Sequence, residues 1–188
     1  MRILGISGSL REASYNSRLL DAAAALMPPG AELVRFAGLK HIPPFDQDDE
    51  AGPPPPQVAR LRHEIAAADG LLIATPEYNH SLPGQLKNAL DWASRPQASS
   101  VLRNKNAAVI GASTSMFGAV WAQAEVRKVL SATGARVLDR ELPVPFAGDQ
   151  FDERGGLRDH ELELTLADIL GELHAAIEES RTLAALAA

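Results

Sequence analysis

The 188-residue chain contains no cysteine, which excludes disulfides, thiolate metal ligands and a cysteine nucleophile. It has no apolar run approaching the roughly 20 residues of a membrane span, so membrane insertion is not expected. No basic segment followed by an apolar stretch opens it, and the cytoplasm is the expected location. Cations are outnumbered: 18 Lys and Arg against 24 Asp and Glu leave a formal charge of −6. That balance gives no global attraction to nucleic acid, so any anion site must be built locally. The dinucleotide pattern G-x-G-x-x-G is missing, because Gly5-Ile6-Ser7-Gly8 lacks the spacing and no suitable acid follows the second predicted strand. No Gly-Lys-Ser/Thr of a P-loop occurs either. The histidines, His41, His63, His80, His160 and His174, show no ligand spacing, and no metal site is expected. Ser9 and Ser113 lie outside any G-x-S-x-G elbow, which argues against a triad hydrolase.

What is present is the composition of a globular domain, 46% apolar and 22% charged. A single domain over residues 1–180 is expected, with 181–188 as a frayed tail. Ile3 to Ile6 is a short apolar run, and Leu19, Leu20, Ala23, Ala24 and Met27 then share a helical face that Pro28-Pro29-Gly30 ends. Ala31 to Phe36 alternates as a strand does. Residues 37–56, with Pro53 to Pro56, form a long surface connection. Val58, Leu61, Ile65 and Ala68 mark the next helix. Leu71 to Ala74 and Ala107 to Ala112 are continuous apolar runs, as central parallel strands require. Helices follow at 84–93, 119–133 and 159–180, a last strand at 135–138, and residues 141–158 read as irregular. Five strands alternating with five helices predict an α/β fold, a parallel sheet covered on both faces. The short first strand and its polar loop favour a flavodoxin-like three-layer sandwich, with the five-stranded sheet in the order 2-1-3-4-5. Ligands in such sheets sit beyond the carboxyl ends of the strands.

The loop Gly8-Ser9-Leu10-Arg11-Glu12-Ala13-Ser14-Tyr15-Asn16 joins the first strand to the first helix. Free N–H groups and the helix dipole favour an anion there, and the loop supplies hydroxyls, an arginine and an asparagine. The plainer reading is a turn in which Ser14 or Asn16 caps the helix. Two further polar loops, Thr75 to Pro83 and Ser113 to Gly118, follow strands that the expected order makes neighbours. Their convergence favours an anion site for a single phosphate, as on a mononucleotide.

Gly8-Ser9-Leu10-Arg11-x-x-Ser14-x-Asn16 stands together with Thr75-Pro76-Glu77-Tyr78-Asn79-His80-Ser81-Leu82-Pro83-Gly84-Gln85-Leu86-Lys87-Asn88-Ala89-Leu90-Asp91-Trp92. With these motifs the chain closely resembles the NADPH-dependent FMN reductases, a flavodoxin-like family that includes quinone, azo-dye and chromate reductases. The resemblance implies that Ser9, Leu10, Arg11, Ser14, Tyr15 and Asn16 surround the FMN phosphate. It implies that Pro76, Glu77, Tyr78 and Asn79 border the isoalloxazine, with Ser113 near the ring. One departure is Gly118-Ala119 where the family commonly has Gly-Gly, and the added methyl is expected to narrow that edge of the site. For Glu77, exposure, pairing across a subunit interface and placement of backbone amides all remain open. His80 is expected to face solvent.

The resemblance further implies FMN as bound cofactor and NADPH or NADH as co-substrate. Electrons would pass to a quinone, azo compound, nitroaromatic, metal oxyanion or free flavin. Flavin carries that chemistry, so no side chain is assigned a catalytic role. One open ring face serving both substrates implies ping-pong kinetics. A homodimer or homotetramer is implied, with the flavin near a subunit boundary. The competing readings are a flavodoxin-like FMN carrier, against which Arg11 counts, and a binding module that has lost the flavin.

Overall fold

The structure, a computed structural model, describes residues 1–186. Its strands are β1 (Arg2–Ser7), β2 (Glu32–Arg35), β3 (Gly70–Thr75), β4 (Asn106–Ala112), β5 (Arg136–Val137) and β6 (Pro143–Val144). The helices are α1 (Tyr15–Ala25), α2 (Pro56–Ala67), α3 (Gly84–Ala93), α4 (Val120–Ala132) and α5 (His160–Leu186). The sheet runs β2-β1-β3-β4-β5, all parallel, which is the flavodoxin-like order the sequence predicts.

Side chains alternate across this sheet, so each strand feeds two cores. Leu4, Ile6, Leu71, Ile73 and Val109 pack against α2, α3 and α4. Ile3, Leu72, Ala74, Ala108 and Ile110 face α1 and α5. Every residue of β3 and β4 is buried, which accounts for their unbroken apolar sequence. Truncating one of these fully buried leucines or isoleucines to alanine is expected to cost about 2–5 kcal/mol.

Two parts depart from the sequence expectation. The edge strand is interrupted: β5 is confined to Arg136–Val137, and β6 rejoins β4 at Gly111 and Ala112 from within the stretch expected to be irregular. Two-residue strands leave too little periodicity to recognise. The last helix runs on to Leu186, so residues 181–186 of the expected frayed tail are helical, while 187–188 lie outside the described residues. Arg181 accounts for part of that extension, because it pairs with Asp69 at 2.9 Å on the far side of the chain.

Candidate functional site

Three connections leave the carboxyl ends of adjacent strands: 8–14 after β1, 76–83 after β3, and 113–119 after β4. The register aligns their starting points, with Ser7 opposite Ala74 and Thr75 opposite Gly111. Gly8 extends the ladder by donating its N–H to the Ala74 carbonyl at 2.8 Å. A Cβ on Gly8 would lie 2.9 Å from Leu86 Cδ2 on α3 and 3.2 Å from Pro76 Cδ on the second loop, so the glycine lets the first loop lie close against both.

The loops enclose a cleft. From the first, Ser9, Arg11, Ser14, Tyr15 and Asn16 line it; from the second, Pro76, Glu77 and Tyr78; from the third, Ser113. Nine of the eleven residues expected at the site are therefore brought together. Leu10 lies one step aside, lining an apolar groove with Tyr78 and Pro83. Asn79 is not in the cleft wall, for a physical reason. Tyr78 and Ser81 exchange both backbone hydrogen bonds, at 3.0 and 3.1 Å, leaving Asn79 and His80 as a two-residue turn. Both are at positive φ, 52° and 59°, the type I′ pattern that asparagine tolerates well.

The first loop is both a cap and a cradle. Ser14 Oγ accepts from the amides of Asn16 and Ser17 at 3.2 and 3.3 Å, forming the N-cap of α1. The amides of Ala13, Ser14 and Tyr15 have no acceptor among the described residues, and α1 has no acid in its first turn. Arg11 is exposed; its backbone N–H donates to Ser9 Oγ at 3.4 Å, while its guanidinium has no hydrogen-bond or ion-pair partner among the described residues. An unpaired guanidinium beside free helix-start amides is a donor set suited to a phosphate monoester.

Asn16 is occupied differently from the expectation. It is buried at 2% exposure; its Nδ2 donates to the Ala112 carbonyl at 2.9 Å, and its Oδ1 accepts from the Ala112 amide at 3.0 Å. The side chain thus ties the start of α1 to the end of β4, holding the first and third loops in register. Tyr15 stacks on Phe151, with ring centroids 6.2 Å apart.

Glu77 resolves one of the open readings. Its carboxylate is nearly buried, and Oε2 accepts from the amides of Trp121 and Ala122 at 3.1 and 3.2 Å. Helix α4 has no side-chain cap of its own, since Ala119 stands at its N-cap with φ 64°. A carboxylate from the second loop therefore caps a helix that follows the third. His80 is largely exposed, as expected, and also lies edge-on to Trp121 at 4.8 Å, and Phe117 packs on the same indole at 4.8 Å.

The methyl of Ala119 does not narrow the cleft. Ala119 is fully buried, and its Cβ points at Gly111, where an added Cβ would meet it at 3.1 Å and the Thr75 carbonyl at 2.9 Å. Gly111 makes room for that methyl within the core. Gln123, absent from the expected site, also matters here. Fully buried, it donates to the Gly118 carbonyl at 3.2 Å and accepts from the Leu142 amide at 3.0 Å, fixing the third loop. The signal for it was a glutamine at helical spacing from Val126 and Leu130, on an otherwise apolar face. Ser113 Oγ donates to Ser115 Oγ at 3.1 Å, with no base to activate it. Among the described residues, no group of three or more His, Asp or Glu is arranged to hold a metal ion.

Comparison with known proteins gives this geometry a family. The sequence model of the NADPH-dependent FMN reductases matches residues 1–149. An NAD(P)H-dependent FMN reductase of Pseudomonas aeruginosa is 45% identical over 160 residues, 85% of each chain. A 2-hydroxy-1,4-benzoquinone reductase of Burkholderia is 36% identical over 183 residues, 96% of this chain and 98% of that one. Among solved structures, the flavoenzyme NAD(P)H:(acceptor) oxidoreductase FerB of Paracoccus denitrificans superposes with a TM-score of 0.83 at 30% identity, covering 95% and 97% of the two chains. By motif, topology and relatives alike, the chain belongs to the NADPH-dependent FMN reductase family.

Proposed function

We propose that this FMN-dependent NAD(P)H oxidoreductase uses the three-loop cleft to hold its flavin and passes the electrons to a quinone. The observation that carries the reading is the unpaired Arg11 beside the free amides at the start of α1, in a cleft closed by Pro76, Tyr78 and Ser113. That donor set fits the phosphate of FMN. Ser9, Arg11 and the amides around Ser14 would hold the phosphate, with Leu10 and Tyr15 packing beside it. The backbone of Pro76 to Tyr78 and the Ser113 edge would border the ring. Asn16 and Glu77 fix the loops to one another rather than gripping the ligand by their side chains.

Bound FMN supplies hydride acceptance from the nicotinamide and electron delivery to the second substrate. The chain supplies orientation and an open rim for planar molecules. Tyr78, Phe117 and Trp121 are exposed large aromatics, and the latter two pack on one another. Such a rim suits flat aromatic acceptors, and relatives named as quinone reductases support that class. The same apolar rim, with Met116 63% exposed, suits a subunit boundary, so the working assembly is a homodimer or homotetramer. No described helix is long and apolar enough to cross a membrane. The working picture is a single-domain cytoplasmic enzyme without nucleic-acid partners.

Anaerobic stopped-flow mixing of the FMN-loaded protein with NADPH and with NADH tests the first half-reaction. Bleaching followed by reoxidation with benzoquinones is the expected result. A flavin that stays oxidised with both nicotinamides would point to an electron carrier instead.

A further inference from the structure

Among the described residues, five other than glycine are held at positive φ, and four of these stand on connections at the carboxyl edge of the sheet: Asn79, His80, Ala119 and Phe146. The fifth, Asn104, lies in the connection before β4. Asn79 and His80 form the two-residue turn, and Ala119 is locked into the core by its methyl. Neither reason covers Phe146, at φ 46°. A bulky side chain rarely takes that conformation, and its cost persists only where the surroundings impose it. Phe146 is 54% exposed and belongs to neither core cluster, so burial does not offset the strain.

The backbone around it shows what imposes the conformation. Strand β6 delivers the chain beside the third loop: Ser113 donates its N–H to the Val144 carbonyl at 3.1 Å, and Ala147 donates to the Ser113 carbonyl at 3.0 Å. The Phe146 N–H donates to the Ser115 carbonyl at 3.1 Å, and its carbonyl accepts from Asp149 at 2.9 Å, closing a tight turn. A Cβ on Gly148 would stand 3.5 Å from the Tyr15 hydroxyl. The stretch 145–149 therefore lies between Ser113 and Tyr15, two residues that line the cleft, and forms its fourth side. Ala147 is fully buried and anchors the turn, while Phe146 beside it stays more than half exposed.

We propose that Phe146 is a specificity-determining residue for the electron acceptor, supplying an aromatic surface on which a planar quinone rests as it enters over the flavin. The inference rests on the quinone reading of the cleft. Phe146 is bonded to Ser115, one step outside the residues that line the cleft, so it meets what approaches the flavin and not the flavin itself. Gly111 of β4 pairs with Thr75 of β3 on one side and Pro143 of β6 on the other. Tyr78, after β3, and Phe146, after β6, therefore expose aromatic side chains on opposite margins of the third loop. Contact with an aromatic face grows with the area of the partner ring, so such a margin favours a two-ring acceptor over a one-ring one. A strained, exposed phenylalanine is thus accounted for by what it does to the substrate.

Calorimetric titration of the oxidised, FMN-loaded protein with menadione, a naphthoquinone, and duroquinone, a benzoquinone, tests this without turnover. The chain has no cysteine for a quinone to arylate. The parent is expected to bind menadione more tightly than duroquinone. Phe146→Gly removes the ring and relaxes the backbone. It should weaken menadione about three- to tenfold and duroquinone less, while the urea midpoint of the flavin-free protein stays level or rises. Phe146→Tyr keeps the aromatic face and should keep the parent's preference. Unchanged quinone affinities in the glycine variant would overturn the assignment. So would weaker binding accompanied by a lowered midpoint, which makes the ring part of the fold, or by a smaller assembly in sedimentation, which places it at a subunit boundary. A parent that binds neither quinone would sink the quinone reading together with this assignment. Failure of both nicotinamides to bleach the flavin would sink the oxidoreductase reading, a result that calorimetry on the oxidised protein tells apart from failure at Phe146.

Discussion

Glu77 and Trp121 are 44 residues apart in sequence, yet the carboxylate of the one accepts the backbone N–H of the other at 3.1 Å. This bond and its neighbour from Ala122 make the second loop the cap of α4, so the cleft wall and a core helix are stabilised together. Glu77→Ala removes the shared acceptor, Oε2, and leaves two helix-start amides without a partner. A loss of about 1–2 kcal/mol is expected from the missing cap. Glu77→Gln keeps an amide oxygen in place and should cost under about 1 kcal/mol, the charge–dipole share alone. Urea denaturation of the flavin-free protein distinguishes these, and equal stability of the alanine variant and the parent would show that the cap is redundant.

The frame of this site was legible because its signals are local. Unbroken apolar runs marked β3 and β4, and small polar residues after them marked the loops. What sequence reasoning missed is long-range. Nothing adjacent to Glu77 indicates that its partners lie on α4, and nothing near Asn16 points to Ala112, 96 residues away. Ala119 shows the same limit. Its effect depends on Gly111 across the core, so a methyl expected on the cleft rim turns out to be interior packing. The split edge strand escaped notice because its second piece begins with a proline, a residue that cannot donate to a ladder.

The amide of Asn16 satisfies both the carbonyl and the N–H of Ala112 inside the protein. Asn16→Leu would leave both backbone groups buried without partners, at about 1–3 kcal/mol each. The variant is expected to lose several kcal/mol of stability by chemical denaturation. Asn16→Asp retains the acceptor but removes the donor to the carbonyl, and should fall between the two. A leucine variant as stable as the parent would mean that water replaces the asparagine.

At the opposite end of the sheet, Asp69 accepts from the Arg2 amide at 2.7 Å and pairs with Arg181. Partial burial pushes its carboxyl up, but the bonds from Arg2 and Arg181, with the positive charges of Arg181 and the chain's amino terminus, outweigh that. The net shift is below the ordinary value of 3.8. A folded-state pKa lower than the unfolded one means that the unfolded chain binds the proton more readily. The stabilisation is therefore fully present above the unfolded pKa and fades as pH falls through the lower folded value. Asp69→Asn should flatten that part of the acid limb of stability against pH and leave its slope near neutrality unchanged. An unchanged acid limb would show that other carboxylates govern it.

Arg11 carries the sharpest prediction, because it contributes nothing visible to the fold. It is exposed, and no described residue pairs with its guanidinium, so Arg11→Ala should leave the denaturation midpoint of the flavin-free protein unchanged. If the guanidinium holds the FMN phosphate, the same change should weaken FMN binding by about 1.5–3 kcal/mol, the range for a hydrogen bond to a charged group. Arg11→Lys should recover part of that loss, since a point charge remains but the fork of donors does not. Riboflavin lacks the phosphate, so its affinity should be indifferent to all three side chains. Fluorescence titration with both flavins measures the contrast, and a loss of equal size for riboflavin would move Arg11 from the phosphate to the ring.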